Sequence, residues 1–297
     1  MSTTPALIED ARAKVNLTLR VVGRRVDGYH DLESVVAFAD CADRLTLDPG
    51  PDLKLTMSGP RAEDCGEVTA NLVLKAARLL GERVTDLRCG EFRLEKVLPV
   101  AAGIGGGSAD AAAALRLLAR ANDLALDDSR LIEVARLTGA DVTVCLASSA
   151  CIMTGVGDHL LPLSLTKMPC VLVNPRIEVS TRNVFETLGL RSGQLRVGVT
   201  DVLQAIAWPE EGGSLEEWVE ALAMGSNDLE PPATKLQPVI GEVIAALNAT
   251  NGAWLARMSG SGATCFAIYE NTADAQRAAQ TVQLAHPLWW VHAGTLS

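Results

Sequence analysis

The sequence predicts an α+β protein with two domains. Its predicted strands and helices follow one another in mixed order, without the strict β-α-β alternation typical of a doubly wound parallel sheet. The chain has 297 residues, of which 48% are apolar and 21% charged. This length and composition are typical of a globular protein with two domains. We place the division near Ser164, which gives domains over residues 1–164 and 165–297.

Hydropathy patterns indicate the elements in chain order. Apolar and polar residues alternate over residues 11–22, which predicts a half-buried strand with Lys14 and Asn16 on its solvent-facing side. The other predicted strands cover residues 32–38, 44–47, 52–57, 92–98, 150–153, 171–173 and 289–292. The predicted helices cover residues 71–80, 111–120, 131–137, 216–224, 239–247 and 273–284. Residues 140–146 have a β-like pattern, residues 189–213 are predicted to form loops and short helices, and small residues at 257–268 form a turn running into a strand.

Composition limits the class of protein. A net charge of −10 argues against a nucleic-acid or anionic-membrane partner. The seven cysteines include no C-x-x-C pair, which indicates reduced thiols rather than a zinc site or a disulfide framework. No apolar run approaches the ~18 residues of a membrane span, and the first ten residues do not resemble a signal peptide. We therefore expect a soluble cytoplasmic protein, with its oligomeric state open.

The stretch over residues 99–112, P-V-A-A-G-I-G-G-G-S-A-D-A-A, lies between a predicted strand and a predicted helix. Glycine lacks Cβ, so successive N–H groups at residues 103–107 can converge on one point without steric cost. The helix adds N–H donors and the positive end of its dipole, and Ser108 is the predicted N-cap. This arrangement predicts a polyphosphate site made of backbone groups.

Spacing separates this loop from other phosphate-binding loops. A Walker A loop requires lysine after its last glycine, whereas Ser108 follows Gly107. The dinucleotide fingerprint requires glycine or alanine where Ser108 stands after Gly103 and Gly105. The protein-kinase set requires H-R-D and D-F-G, which do not occur in the chain. A glycine-rich packing turn without a ligand remains the alternative.

Phosphoryl transfer requires a cation near the moving phosphoryl group and a base for the acceptor's proton. Lys14 can supply the cation, and Asp141, which follows Gly139, can be the base. Alone, Lys14 could be a solvated strand lysine and Asp141 a turn residue. The glycine-rich loop favours the functional interpretation, because a triphosphate site needs both groups nearby.

Four blocks together resemble the GHMP small-molecule kinases: A-K-V-N-L at residues 13–17, the loop at 99–112, G-A-D-V at 139–142, and S-G-S-G-A-T at 259–264. The resemblance implies an N-terminal ribosomal-S5-like domain and a C-terminal ferredoxin-like domain. Within the family, G-R-R-V-D-G-Y-H at residues 23–30 resembles one branch. In that branch the acceptor is the 2-hydroxyl of a cytidine-diphosphate-linked methylerythritol, in the non-mevalonate isoprenoid route.

The resemblance also implies functional residues. Lys14 and Asp141 match the catalytic pair, and the phosphoryl donor is ATP. We expect Mg²⁺ to be bound to the nucleotide, where Ser108 can also contact it, and we expect no metal site made of protein ligands alone. The implied ATP-binding residues are Pro99, Val100, Ala101, Ala102, Gly103, Ile104, Gly105, Gly106, Gly107, Ser108 and Ala109. The implied substrate-binding residues are Asn16, Tyr29, His30, Thr181 and Phe185. Val100 and Thr143 depart from the pattern, where Met and Pro are expected. The alternatives are a GHMP kinase for homoserine, a sugar or mevalonate, and a non-catalytic nucleotide-binding protein.

Overall fold

The computed structural model describes residues 6–196 and 206–297. They form two compact units that interleave along the chain. Unit 1 contains the residues up to Ala13 together with Cys41–Val100 and Gly105–Ser148. Unit 2 contains Lys14–Asp40, Ala101–Ile104 and, among its described residues, the chain after Ser148. The division near Ser164 stays a prediction.

The described residues contain eleven strands and nine α-helices. The strands are β1 Leu7–Asn16, β2 Arg20–Arg24, β3 His30–Asp48, β4 Lys54–Ser58, β5 Glu91–Glu95, β6 Cys151–Gly155, β7 His159–Pro162, β8 Met168–Asn174, β9 Ala253–Met258, β10 Cys265–Tyr269 and β11 Trp290–Leu296. The helices are α1 Leu72–Gly81, α2 Gly106–Ala121, α3 Ser129–Thr138, α4 Val142–Ala147, α5 Thr181–Leu188, α6 Leu215–Ala223, α7 Glu230–Leu236, α8 Val239–Asn248 and α9 Thr272–Ala285.

Unit 1 is organised around α2. The helix is buried on almost every side, and its run of alanines at residues 111–114 lets neighbouring helices approach closely. Helices α1, α3 and α4 pack against it. Beside them, the last residues of β3 pair antiparallel with β5, so that Leu45 lies opposite Leu94 and Leu47 opposite Phe92. Strand β4 pairs with β5 in parallel. The result is a small sheet whose alternating apolar residues are buried.

Unit 2 contains an antiparallel sheet in the order β11-β8-β10-β9, with α8 and α9 packed on it. The first residues of β3 pair with β2 and β6, and β6 pairs with β7. Most positions of β8 and β10 are buried, which explains their nearly continuous apolar sequences. Among the described residues of the chain, no helix is long and apolar enough to cross a membrane.

Several sequence predictions were wrong in detail. The strand predicted over residues 11–22 is two strands, β1 and β2, interrupted at residues 17–19. The strands predicted at 32–38 and 44–47 are parts of one strand, β3. Residues 140–146, predicted as β-like, contain α4, because their apolar residues pack as a helix against α2. The predicted irregular region at residues 189–213 lies partly outside the described residues. The six predicted helices are all confirmed, to within a few residues.

Candidate functional site

The second half of the glycine-rich loop lies in unit 1, where it leads into α2. The helix begins at Gly106, and Gly105 precedes it in the left-handed conformation with φ of 66°. The predicted N-cap, Ser108, was wrong: Ser108 lies inside the first turn, and no side chain caps the helix. The N–H groups of a first helical turn have no partner within the helix. Gly106, Gly107 and Ser108 therefore direct backbone donors outward, with Ala109 buried behind them.

The middle of the loop, residues 101–104, lies in unit 2, packed on the small-residue turn at residues 259–264. The N–H of Thr264 donates to the carbonyl of Ala102 at 3.0 Å, and the hydroxyl of Ser259 donates to the carbonyl of Gly103 at 3.2 Å. Gly103 has φ of +74°, and a Cβ there would lie 2.6 Å from the carbonyl oxygen of Gly262. Only glycine fits this close approach of two backbones.

The loop and β1 are also joined in unit 2. The N–H of Lys14 donates to the carbonyl of Ile104 at 2.9 Å, and the N–H of Asn16 donates to the hydroxyl of Ser259 at 3.0 Å. Lys14 and Asn16 therefore lie beside the loop that the resemblance assigns to ATP.

The side chains of Lys14 and Asn16 form a buried polar chain. Lys14 Nζ donates to Asn16 Oδ1 at 2.8 Å, and Asn16 Nδ2 donates to Ser34 Oγ at 2.7 Å. Ser34 Oγ in turn donates to the carbonyl of Thr18 at 2.5 Å. Lys14 is 3% exposed and Asn16 1%, so the prediction of a solvent-facing polar side was wrong. The residue alternation was correct, but polar partners rather than water cover that face.

A cavity of about 300 Å³ in unit 2 contains two of the predicted substrate residues. It is lined by Arg24, Gly28, His30, Arg182, Phe185 and Glu186. The rings of His30 and Phe185 stack at 4.3 Å between centroids, with planes 22° apart. His30 Nε2 is buried and has no hydrogen-bond partner within the described part of the chain. Burial lowers the pKa of His30, with a further contribution from the charge of Arg24, so the imidazole is neutral at pH 7.

Tyr29 and Thr181 are next in sequence to residues that line this cavity. Tyr29 is 61% exposed, and its N–H donates to Asp27 Oδ1 at 3.1 Å in the predicted Asp-Gly turn. Thr181 begins α5, and its hydroxyl lies 2.8 Å from that of Ser261. Helix α5, which carries Phe185, is thereby linked to the turn at residues 259–264.

Asp141 lies in unit 1, at the N-terminus of α4. Gly139 ends α3, and the N–H of Val142 donates to its carbonyl at 3.0 Å, which turns the chain. Asp141 is half-buried, and its carbonyl accepts from the N–H of Cys145. The helix dipole favours a negative charge at this position.

Sequence reasoning missed a buried ionic cluster in unit 1. Lys96 Nζ contacts Asp43 Oδ2 at 2.5 Å and Asp110 Oδ2 at 2.7 Å, and all three side chains are at most 3% exposed. Burial acts to lower the pKa of Lys96, but Asp110 and Asp43 outweigh it and raise the pKa. The available signal was a charged residue at two positions where the pattern requires an apolar one: Lys96, directly after β5, and Asp110, in the interior of α2.

Two family models match the chain. The one described as "GHMP kinases N terminal domain" matches residues 71–157, and the one described as "GHMP kinases C terminal" matches residues 204–287. The curated relatives include the 4-diphosphocytidyl-2-C-methyl-D-erythritol kinase of Rhodopseudomonas palustris (strain BisB18). It is 70% identical over 98% of this chain and 95% of its own length. The kinase of the same name from Bradyrhizobium diazoefficiens is 67% identical over the full length of both chains.

Solved structures agree with these relatives. The crystal structure of a 4-(cytidine 5'-diphospho)-2C-methyl-D-erythritol kinase matches 98% of this chain and 99% of its own, with a TM-score of 0.75 and 33% identity. The homoserine kinase of Cytophaga hutchinsonii matches all of this chain and 96% of its own, with a TM-score of 0.71 but 18% identity. The second likeness shows the fold alone. With both family models matched and relatives near 70% identity along its whole length, the chain belongs to the GHMP kinase family.

Proposed function

We propose that this protein transfers the γ-phosphoryl group of ATP to the 2-hydroxyl of 4-diphosphocytidyl-2-C-methyl-D-erythritol. The products are the 2-phosphate and ADP, in the non-mevalonate route to isoprenoids. The relatives at 66–70% identity, all kinases of that name, support the assignment. The observation in this chain that carries it is the cavity at His30 and Phe185, whose stacked rings and unpartnered ring nitrogen suit a pyrimidine base.

The glycine-rich loop, residues 99–109, is the proposed ATP site. Backbone N–H groups at the start of α2 would bind the triphosphate, as helix N-termini do in other phosphate sites. Mg²⁺ bound to the nucleotide would neutralise charge on the phosphates and would need few protein ligands of its own. The protein's part is to hold the phosphates in line with the acceptor hydroxyl.

Lys14 and Asp141 are the proposed catalytic residues. Asp141 would accept the proton of the acceptor hydroxyl, and Lys14 would stabilise the charge that develops during transfer. Asn16 holds Lys14 Nζ at 2.8 Å and thereby fixes the direction in which the ammonium points. Because Lys14 is buried, its charge is poorly screened by solvent and acts strongly on a bound phosphate.

Recognition of the acceptor is proposed for the His30–Phe185 cavity. Tyr29 and Phe185 would stack on the two faces of cytosine, and the neutral His30 ring can both donate to and accept from its polar edge. Arg24 and Arg182 line the same cavity and supply positive charge for the diphosphate. Thr181, linked to Ser261, is a proposed contact to the substrate. The seven free cysteines support a cytoplasmic location for the reaction.

The test is steady-state kinetics of ADP release with a panel of acceptors and with CDP as inhibitor. We expect turnover with the cytidine-linked methylerythritol and none with homoserine, mevalonate or a hexose. CDP should compete with the acceptor and not with ATP, because it carries the base and diphosphate of the acceptor. Turnover with another alcohol, or competition of CDP with ATP alone, would contradict the proposed acceptor.

A further inference from the structure

The buried ionic cluster of unit 1 (Asp43, Lys96 and Asp110) has no place in the chemistry described so far. Its three side chains are between 0% and 3% exposed. Burying charges is unfavourable even when they are paired, and well-packed apolar residues often replace such clusters without loss of stability. Stability alone therefore gives little reason for three buried charges at this place in the fold.

The cluster holds the backbone at the entrance of the glycine-rich loop. Asp43 Oδ1 accepts from the N–H of Val97 at 2.6 Å and from the N–H of Leu98 at 2.8 Å. Asp43 Oδ2 accepts from Lys96 Nζ, so both oxygens of the carboxylate are engaged. The carboxylate of Asp43 therefore fixes the backbone orientation of Val97 and Leu98, the two residues directly before Pro99.

The same cluster lies directly behind the exit of the loop. Lys96 Nζ is 3.5 Å from the position that a Cβ on Gly106 would take, and Asp43 Oδ2 is 3.9 Å from it. Asp110 is in the second turn of α2, and its Oδ2 accepts from Lys96 Nζ at 2.7 Å. One ammonium therefore connects the residues before the loop to the helix that follows it.

We propose that Lys96, held between Asp43 and Asp110, is a positioning residue for nucleotide binding. The donors of a backbone phosphate site have no rotamers of their own, so their directions depend on what anchors the backbone on either side. Lys96 supplies that anchor for the two parts of the loop that belong to unit 1, the residues that enter it and the residues that begin α2. The inference rests on the proposed ATP site and names the residues on which that site depends.

The charge of the cluster adds a second, pH-dependent readout. Burial raises the pKa of Asp110 to about 7, with Lys96 acting to lower it and Asp43 to raise it. Among the described residues, Cys65 is a further titratable group close to the cluster, and burial raises the pKa of its thiol. Above pH 7 the cluster carries one net negative charge close to the proposed phosphate site, and below pH 7 it is neutral. ATP affinity should therefore fall as the pH rises through 7.

The experiment compares Lys96→Met, Asp110→Asn and the double variant with Lys54→Met. Lys54 is the matched control, because its ion pair with Asp52 in the same unit is exposed. ATP binding is measured by calorimetry with a non-hydrolysable analogue, and KM is measured separately for ATP and acceptor. We expect Lys96→Met to weaken ATP binding at least tenfold while the acceptor KM changes less than twofold. Lys54→Met should leave both unchanged.

The other two variants keep the test decisive. The double variant avoids two facing carboxylates, and Asp43 keeps its bonds to the N–H groups of Val97 and Leu98, so we expect it to fold even if Lys96→Met does not. It should show the same selective loss of ATP affinity. Asp110→Asn retains Lys96 and Asp43, so ATP should bind within about threefold of the parent at pH 7. The ATP affinity of Asp110→Asn should change less between pH 6 and pH 8 than that of the parent. The protonation of ATP itself affects both proteins equally, so it does not contribute to this difference.

Two results would overturn the inference. One is ATP binding by the folded double variant with the affinity of the parent. The other is an equal rise in KM for ATP and acceptor, which indicates a general structural role. The first result does not depend on the acceptor's identity: if the parent protein does not phosphorylate the cytidine-linked methylerythritol, the proposed function fails, while the calorimetric comparison still decides the role of Lys96.

Discussion

Replacing Gly103 by alanine tests whether the glycine-rich loop is packed against the turn at residues 259–264. Gly103 has φ of +74°, which costs an alanine about 1 kcal/mol. Its Cβ would lie 2.6 Å from the carbonyl oxygen of Gly262 and 2.7 Å from that of Ser259. These are backbone atoms that no side-chain rotation can move, and relief of such overpacking typically costs about 1–3 kcal/mol. We expect Gly103→Ala to lower the free energy of unfolding by about 2–4 kcal/mol.

Gly189→Ala is the matched control. Gly189 has nearly the same φ, +79°, but the nearest atom to its Cβ position is 3.9 Å away. The control therefore contains the backbone cost of about 1 kcal/mol without the overpacking. Both glycines belong to unit 2, which also contains all five tryptophans, between residues 208 and 290. Urea unfolding followed by tryptophan fluorescence thus reports on the unit in which both substitutions lie.

The difference between the two variants isolates the packing of the loop. It should be about 1–3 kcal/mol, and Gly103→Ala should also raise the KM for ATP, whereas Gly189→Ala should not. Equal destabilisation by both substitutions would refute the close approach of the loop and the turn. A rise in ATP KM in the control as well would show that the effect is not local.

Three further predictions concern charge and recognition. Asp141→Asn keeps the shape of the side chain but cannot accept a proton, so kcat should fall roughly 10²–10⁴-fold with small changes in both KM values; near-parental turnover would remove Asp141 from the mechanism. Because burial raises the pKa of Asp110 to about 7, the folded state holds that proton more tightly than the unfolded state. The free energy of unfolding should therefore fall between pH 4 and pH 7 by up to roughly 1.4 kcal/mol per pH unit, and urea midpoints should show that Asp110→Asn loses this contribution to the slope. In inhibition assays, Tyr29→Ala should weaken the binding of CDP and of UDP by similar factors, because stacking hardly distinguishes bases. His30→Ala should weaken the binding of CDP more than that of UDP. If His30→Ala weakened both by the same factor, His30 would not recognise the edge of the base.

The parts of the site that depend on local sequence could be predicted. Glycines before a run of helix formers favour a turn followed by a helix, and α2 follows the predicted loop. Residues 140–146 could not be predicted in this way, because Val142, Thr143 and Val144 favour strands when considered alone. Their helix exists because Gly139 reverses the chain and the apolar residues then pack against α2.

The burial of polar side chains was the second feature of the site that the sequence could not predict. Alternation in β1 correctly placed Lys14 and Asn16 on one face, but it could not show that Ser34 covers that face. The ionic cluster was missed for a related reason. Asp43 and Asp110 are 67 positions apart and share no motif, so only the folded chain brings them to Lys96.

The three hydrogen bonds that connect Lys14, Asn16, Ser34 and Thr18 have a fixed donor-to-acceptor direction. The carbonyl of Thr18 can only accept, so the hydroxyl of Ser34 must point its hydrogen there and can only accept from Asn16. The amide of Asn16 is then unable to flip, and it presents its oxygen to Lys14. The carbonyl oxygen of Thr18, three hydrogen bonds away, thus determines that Asn16 presents its oxygen rather than its nitrogen to the ammonium of Lys14. Ser34→Ala would leave every charge in place and remove the acceptor of the Asn16 amide nitrogen, so that the contact with Lys14 alone would then orient this asparagine.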